Sequence, residues 1–189
     1  MLIPVYWRAY GPADFLWFCV IAAILTFFAL WIESPLLASM NAVAMTLPQI
    51  IWILDFITGG HVVGVSIYMF DSHVPLLARS LSTFHLWLPF LILWMVSRLG
   101  YDRRAFRCQT VLSALILIAS YLATDPRHPP TRYPAAAVNV NRVYGPGVTT
   151  VQQRMPELAY LSLEIAFWPV VFYLPTHLTL LKVFRRRRR

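Results

Sequence analysis

The chain has 189 residues, of which 59% are hydrophobic and only 13% are charged. A soluble domain carries roughly 25% charged residues, so a water-soluble fold could not cover this much apolar surface. The formal net charge of +8 would suit a nucleic-acid-binding protein, but the basic residues lie between apolar runs and in the C-terminal tail. The composition therefore favours an integral membrane protein and argues against nucleic acid as a partner.

The apolar segments predict an all-α, polytopic transmembrane helical bundle of about five spans. A helix rises 1.5 Å per residue, so roughly 20 residues cross a hydrocarbon core of about 30 Å. The predicted spans cover residues 13–32, 36–57, 81–97, 109–123 and 158–184. We expect residues 1–189 to form a single integral membrane domain.

Two segments lie outside these spans. Residues 61–80 include an apolar stretch that is too short to cross a bilayer, which predicts a short interfacial or re-entrant segment. Residues 124–155 form the one sizeable polar loop, which is rich in proline. Within it, Asn139-Val140-Asn141 and Tyr144-Gly145-Pro146-Gly147 are typical of turns.

The basic residues predict the orientation of the chain. With five spans, the loop from Arg98 to Arg107 and the C-terminal tail fall on one side, which holds ten of the 16 basic residues. Because positive charge marks the cytoplasmic side, we expect the N-terminus outside and the C-terminus in the cytoplasm. The 124–155 loop is then an outer loop. The tail, Arg185, Arg186, Arg187, Arg188 and Arg189, is expected to bind anionic lipid headgroups.

Polar side chains within the predicted spans are the main candidates for a site. On this topology four of them fall in the outer half of the membrane: Gln49, Asp55, His85 and Glu164. Asn41 and His177 form a separate inner pair. Polar groups inside a bilayer mark functional sites by default, although hydrogen bonds among them also hold helices together. Both interpretations of this intramembrane polar cluster remain open at this stage.

The sequence lacks the motifs of familiar enzymes. It has no His-Glu-x-x-His zinc motif, no Gly-rich phosphate loop and no Gly-x-Ser-x-Gly turn. Imidazole and carboxylate groups could make an outer metal site, and the candidate ligands are His61, Asp71, His73 and His85. Their spacing is not diagnostic, so we predict no cofactor and favour a protein without catalytic activity.

Several short stretches resemble a group of uncharacterised bacterial polytopic membrane proteins with no known activity. The stretches are Phe84-His85-Leu86-Trp87-Leu88-Pro89, Gly100-Tyr101-Asp102-Arg103-Arg104, Tyr173-Leu174-Pro175-Thr176-His177-Leu178, Leu47-Pro48-Gln49 and Asn139-Val140-Asn141. The resemblance implies a multi-pass protein of the bacterial inner membrane, and it implies no mechanism.

Three functions are consistent with these features. The first is a non-catalytic membrane or accessory protein that acts through helix packing, with a membrane-protein partner or with itself as a homo-oligomer. The second is a small transporter or proton-coupled carrier that uses the outer polar cluster, with helices broken at proline. The third is a membrane enzyme or metal-binding protein at the outer face.

Overall fold

The computed structural model describes residues 7–8, 10–72, 74–128, 137–147 and 151–184. These residues contain helices and turns and no β-strand. The five main helices are α1 (Phe18–Trp31), α2 (Pro35–Ile57), α3 (Leu76–Leu99), α4 (Ala105–Ala123) and α5 (Glu157–Val183). The predicted all-α class is confirmed.

Four of these helices, α2 to α5, are long and apolar enough to cross a membrane, with 23, 24, 19 and 27 residues. The chain is therefore a multi-pass membrane protein. The first helix, α1, is apolar but has only 14 residues, a rise of about 21 Å. The predicted first span began at residue 13, but there the chain forms a 3-10 turn, Pro12–Leu16, and the extended backbone of Trp17 separates it from α1.

The ends of α2 follow from local chemistry. The Ser34 hydroxyl accepts a hydrogen bond from the Leu37 backbone N–H at 3.3 Å and caps the helix, with Pro35 in its first turn. Proline suits this position because its missing N–H would have no helical partner. The helix continues through Pro48 and ends before Gly59 and Gly60, which both adopt positive φ angles.

Two helices begin earlier than predicted. Helix α3 starts at Leu76, so residues 76–80 are helical and do not belong to the segment before it. The Arg79 guanidinium donates to the Met69 carbonyl at 3.3 Å, which gives this charge a partner in the 3-10 turn before the helix. Helix α4 starts at Ala105 and includes Arg107. Arg79 and Arg107 lie near the starts of α3 and α4. Because charged residues interrupt an apolar run, the sequence predicts both spans to be shorter than they are.

The chain divides into two compact units, and both draw on separate parts of the sequence. The first unit consists of the described residues of Met1–Ile21 and Arg107–Val171. The second unit consists of the described residues of Ala22–Phe106 and Phe172–Arg189. In the second unit, α2 packs against α3 and against the end of α5. In the first, the Pro12–Leu16 turn packs against a 3-10 turn at Val140–Arg142.

Candidate functional site

Gln49 of α2 and His85 of α3 form a buried hydrogen-bonded pair in the second unit. The distance between His85 Nδ1 and Gln49 Oε1 is 2.7 Å, and the two residues are 8% and 2% exposed. Because an amide oxygen only accepts, Nδ1 is the protonated nitrogen in this arrangement. The His85 ring also stacks on Trp52 at 4.6 Å between centroids. The pair therefore links two spans and is enclosed by aromatic rings.

Asp55, at the end of α2, bonds to the loop that follows it. Its Oδ1 accepts from the backbone N–H groups of Val62, Val63 and Gly64 at 3.0, 2.7 and 3.0 Å. Its Oδ2 accepts from the Ser66 N–H at 2.8 Å and the Ser66 hydroxyl at 2.7 Å. Five donors thus surround one fully buried carboxylate, which fixes the turn out of α2.

The close turn beside Asp55 depends on Gly60. A side chain there would place its Cβ 3.1 Å from the Ile67 Cα, and the φ of this residue is +84°. Both conditions favour glycine. The loop can therefore bring its N–H groups around the Asp55 carboxylate.

Glu164 belongs to the first unit, and its hydrogen bond is local. The Tyr160 hydroxyl, one turn earlier on α5, donates to Glu164 Oε1 at 2.9 Å. The Trp168 indole, one turn later, also lies beside the carboxylate. Glu164 is only half-buried.

The loop that carries Arg142 is held by two buried asparagines. Asn141 accepts from the Phe18 N–H at 3.1 Å and donates to the Leu16 carbonyl at 2.7 Å and the Ser120 hydroxyl at 3.0 Å. Asn139 accepts from the Tyr144 N–H at 3.0 Å and donates to carbonyls of the same loop. Residues 137–147, the described part of this loop that we call the plug, are therefore held against the start of α1 and the end of α4.

The backbone beside this plug is strained. Asn141 and Arg142 have φ angles of 53° and 60°. Asparagine tolerates this left-handed conformation, but for arginine it costs about 1–2 kcal/mol. Such strain persists only where surrounding contacts determine the conformation, and it is concentrated at functional sites. Here the three hydrogen bonds of the Asn141 side chain supply those contacts.

A second irregularity follows Glu164 on α5. Residues Trp168–Tyr173 form a π-helical turn that contains Pro169. Proline lacks the N–H that an α-helix requires and clashes with the preceding turn, so a wider turn accommodates it. Single π-helical turns are frequent at functional sites. The Trp168 ring at its start packs on Phe18 at 4.8 Å, next to the backbone that Asn141 binds.

The loop between α4 and α5 is also held to these two helices by charged and aromatic groups. Arg127 forms an ion pair with Glu157 at the start of α5, and the Tyr121 hydroxyl donates to the same carboxylate at 3.1 Å. Tyr144 stacks on Tyr121 at 4.8 Å and donates to its carbonyl at 2.7 Å. The plug therefore has a fixed position relative to α4 and the first turn of α5.

Asp14 is a buried acid in the turn that packs against the plug. The Trp17 indole donates to its Oδ1 at 3.0 Å, and the residue is 7% exposed. Burial disfavours the charged form and raises the pKa of Asp14 to about 6, although the Trp17 hydrogen bond opposes the shift. Asp14 lies before α1, outside the helices that are long enough to cross the membrane.

The predicted outer cluster is thus divided by its hydrogen bonds. Gln49 and His85 bond each other, whereas Asp55 bonds its own loop and Glu164 bonds Tyr160 on its own helix. These hydrogen bonds do not join the four residues into one network, because depth along a span does not specify which way a side chain faces. Sequence analysis missed Tyr160, Asn141 and Arg142, although the Asn-x-Asn turn was a visible signal.

The predicted inner pair is also divided, within the second unit. Asn41 donates to the Thr26 hydroxyl at 3.1 Å and the Ala22 carbonyl at 3.3 Å. His177 Nδ1 lies 2.5 Å from the Tyr101 hydroxyl. Each of the two residues therefore joins different segments of the chain.

The remaining predicted residues are the candidate metal ligands and the arginine tail. His73 and the tail Arg185–Arg189 lie outside the described residues. Among the residues that are described, which include His61, Asp71 and His85, no three His, Cys, Asp or Glu side chains are grouped to hold a metal ion.

The fold and these contacts define a multi-pass helical membrane protein. Some polar groups of its helices bond a neighbouring helix, as Gln49 and His85 do, and others bond their own helix, as Glu164 does. A scan against protein-family models found no matching model, and searches of curated proteins and of solved structures found no match.

Proposed function

We propose that this chain is a non-catalytic protein of the bacterial inner membrane that acts through helix packing with a membrane-protein partner or a second copy. The observation that carries the proposal is the Gln49–His85 bond at 2.7 Å between α2 and α3. Because Gln49 and His85 bond each other, this pair stabilises the packing of two helices. The apolar outer faces of the helices then remain for contact with lipid or with a partner.

The partner is tested in native membranes. Tagged and untagged full-length chains are expressed together. The mass and the composition of the detergent-solubilised complex are then measured. We expect a stoichiometric assembly larger than the 21.8 kDa chain, either with a second copy or with one defined membrane protein. A protein that stays monomeric at its native level, in the bilayer and in mild detergent, would contradict the proposal.

The proposed orientation counts α1 as a fifth crossing, and it has the N-terminus outside and the C-terminus in the cytoplasm. It is supported by the concentration of arginine between α3 and α4 and in the tail. A reporter active only in the cytoplasm should give signal when fused after Arg189 and none when fused near Arg132. The opposite pattern would reverse the orientation.

The arginine tail is proposed to bind anionic lipid at the cytoplasmic face. Each basic residue near an anionic surface contributes roughly 1 kcal/mol. Replacing Arg185–Arg189 with glutamine should weaken association with vesicles that contain phosphatidylglycerol. Equal association of the variant and the natural chain would remove this role.

A second candidate is a proton-coupled carrier centred on Glu164. It is favoured by the half-buried carboxylate beside the π-helical turn Trp168–Tyr173, because broken helices in carriers create polar sites within the membrane. The test uses the proton itself, in proteoliposomes loaded with a pH-sensitive dye. Proton flux that Glu164→Gln abolishes would support the carrier, and flux equal to that of empty liposomes would exclude proton movement by this protein alone.

A further inference from the structure

The loop that follows α2 exposes large apolar side chains. We call residues 60–71 the Asp55 loop, because the Asp55 carboxylate binds its backbone. Four apolar side chains of this loop are more than half exposed: Val62, Val63, Ile67 and Phe70. A group of exposed apolar side chains on one short segment marks a surface that contacts another protein or a membrane. The Asp55 loop is therefore a candidate contact surface.

The backbone of the Asp55 loop obtains many of its hydrogen bonds from within the chain. The Asp55 carboxylate accepts from the N–H groups of Val62, Val63, Gly64 and Ser66. The N–H groups of Met69 and Phe70 donate to the carbonyls of Ser66 and Ile67 at 2.9 and 3.0 Å. An N–H group without an acceptor is costly in apolar surroundings, whereas in water it bonds to solvent. These internal acceptors therefore allow this backbone to lie away from water.

Phe70 fixes the loop against α2. Its ring stacks on Phe56 at 5.4 Å between centroids, and Phe56 stacks on Trp52 at 5.3 Å. Trp52 in turn stacks on His85 of α3, so the rings join the loop to both helices that it connects. The loop thus has a defined position, and the apolar surface that it exposes is part of the fold.

The apolar surface of the loop continues on the two helices beside it. Leu54 and Ile57 in the last turn of α2, and Leu76 and Leu77 in the first turn of α3, are also more than half exposed. Both helices are long and apolar enough to cross a membrane, and the exposed apolar side chains of such helices contact lipid tails. This continuity along the chain favours lipid as the partner of the loop.

We propose that the Asp55 loop is a lipid-contacting surface at the boundary between headgroups and acyl chains, and that Asp55 positions it there. The four exposed apolar side chains contact the acyl chains, as the apolar face of an interfacial segment does. The exposed side chains of His61 and Asp71 lie with the headgroups and water. Asp55 supplies the acceptor that water would otherwise supply, so it is the positioning residue of this surface.

Fluorescent labels test whether lipid covers the loop. The substitution Val62→Cys or Ile67→Cys is introduced into a full-length chain whose natural cysteines, Cys19 and Cys108, are replaced with serine. The label is an environment-sensitive nitrobenzoxadiazole group, and the chain is reconstituted into phosphatidylcholine vesicles. Quenching is measured with lipids brominated on their acyl chains and, separately, with iodide on both sides of the membrane.

Two reference labels calibrate the result. Leu115→Cys changes an exposed apolar position in the middle of α4, so its label reports lipid. His128→Cys changes a position in the loop after α4 where the natural side chain is 83% exposed, so its label reports water. We expect brominated lipid to quench both loop labels several-fold more strongly than the label at position 128, and iodide to quench them several-fold less.

Two other outcomes would contradict the proposal. Loop labels that respond to the two quenchers as the label at position 128 does would show that the loop lies in water, and they would overturn it. Labels shielded from both quenchers would show that a protein surface covers the loop, from a second copy of the chain, and they would overturn the assignment to lipid.

Asp55→Asn tests the role of the carboxylate. Asparagine keeps the size of Asp55 but has one acceptor oxygen, so it cannot hold all five donors. We expect the label at position 62 to lose most of its quenching by brominated lipid and to become several-fold more sensitive to iodide. The label at position 115 should stay unchanged, which identifies a chain that is folded and inserted.

The matched control is Glu33→Gln, which removes an exposed carboxylate beside the other end of α2. It should change neither the label at position 62 nor the label at position 115. If the label at position 62 keeps its lipid quenching in the inserted Asp55→Asn chain, Asp55 does not position the loop. An equal change in Glu33→Gln would likewise contradict a role specific to Asp55.

Discussion

The Gln49–His85 pair of the second unit and the Tyr160–Glu164 pair of the first unit use polar side chains in different ways. The first joins two helices and is fully enclosed. The second lies within one helix, and its acid remains half-buried. A bond between two helices contributes to their packing, whereas a bond within one helical turn does not fix that helix against a neighbour. Polar residues within these helices can therefore be grouped by whether their partner lies on another helix or on the same one.

The largest expected effect concerns Asp55 in the second unit. Replacing it with alanine leaves four backbone N–H groups and one hydroxyl without their acceptor, so we expect a loss of about 3–5 kcal/mol in the free energy of unfolding. Asp55→Asn keeps one acceptor oxygen and should lose less. The measurement is equilibrium unfolding in mixed micelles.

The control for Asp55 is Asp125→Ala. Asp125 lies on the loop surface, where the His128 hydrogen bond lowers the pKa of its carboxyl. Exposed ion pairs contribute little to stability because water screens them and competes for both partners, so this change should be nearly neutral. Equal losses at the two positions would show that the bonds around Asp55 do not hold the turn.

The pH dependence of the first unit follows from Asp14. Its pKa is raised from the ordinary value of 3.8 to about 6, so the folded state holds this proton more tightly than the unfolded chain. Stability should therefore fall by about 2–3 kcal/mol as pH rises from roughly 4 to 6, and then level off.

Asp14→Asn isolates this effect from other titrating groups. Asparagine keeps an oxygen that accepts from the Trp17 indole, and it carries no charge. The difference in unfolding free energy between the two chains should grow through this pH window in favour of the variant. A constant difference from pH 4 to pH 8 would show that Asp14 titrates normally.

A smaller effect is expected from the bond between α2 and α3. In a double-mutant cycle with Gln49→Leu and His85→Leu, we expect a coupling energy of about 1 kcal/mol, within the range of membrane hydrogen bonds. A cycle between His85 and Thr58, which bonds only backbone carbonyls of its own turn, should give no coupling. Zero coupling between Gln49 and His85 would show that their hydrogen bond does not stabilise the packing of α2 against α3.

The sequence predicted the helices well because hydropathy is a local property. The predicted span at 36–57 differs from α2 by one residue at its start, and the span at 158–184 differs from α5 by one residue at each end. The sequence predicts the start of α3 five residues late, because a charged residue such as Arg79 indicates a segment in water and its bond to Met69 has no signature in the sequence.

The site could not be predicted to the same extent, because its contacts join distant parts of the chain. The bond from the Phe18 N–H to Asn141 spans 123 residues, and no pattern in one sequence reveals it. The carboxylate of Asp55 was counted as an intramembrane group, whereas five donors from the following loop bind it. Residue type indicated which side chains need partners, but only the fold determines which partners they have.

The contrast between the two pairs is tested most directly by comparing Glu164→Gln with His85→Leu in the same unfolding experiment. Because glutamine keeps the size of Glu164 and can accept from Tyr160, we expect Glu164→Gln to change the free energy of unfolding by no more than about 0.6 kcal/mol. His85→Leu breaks a buried bond and should lose about 1–3 kcal/mol. A larger loss from Glu164→Gln than from His85→Leu would contradict the account, since Glu164 would then be the residue that holds the fold.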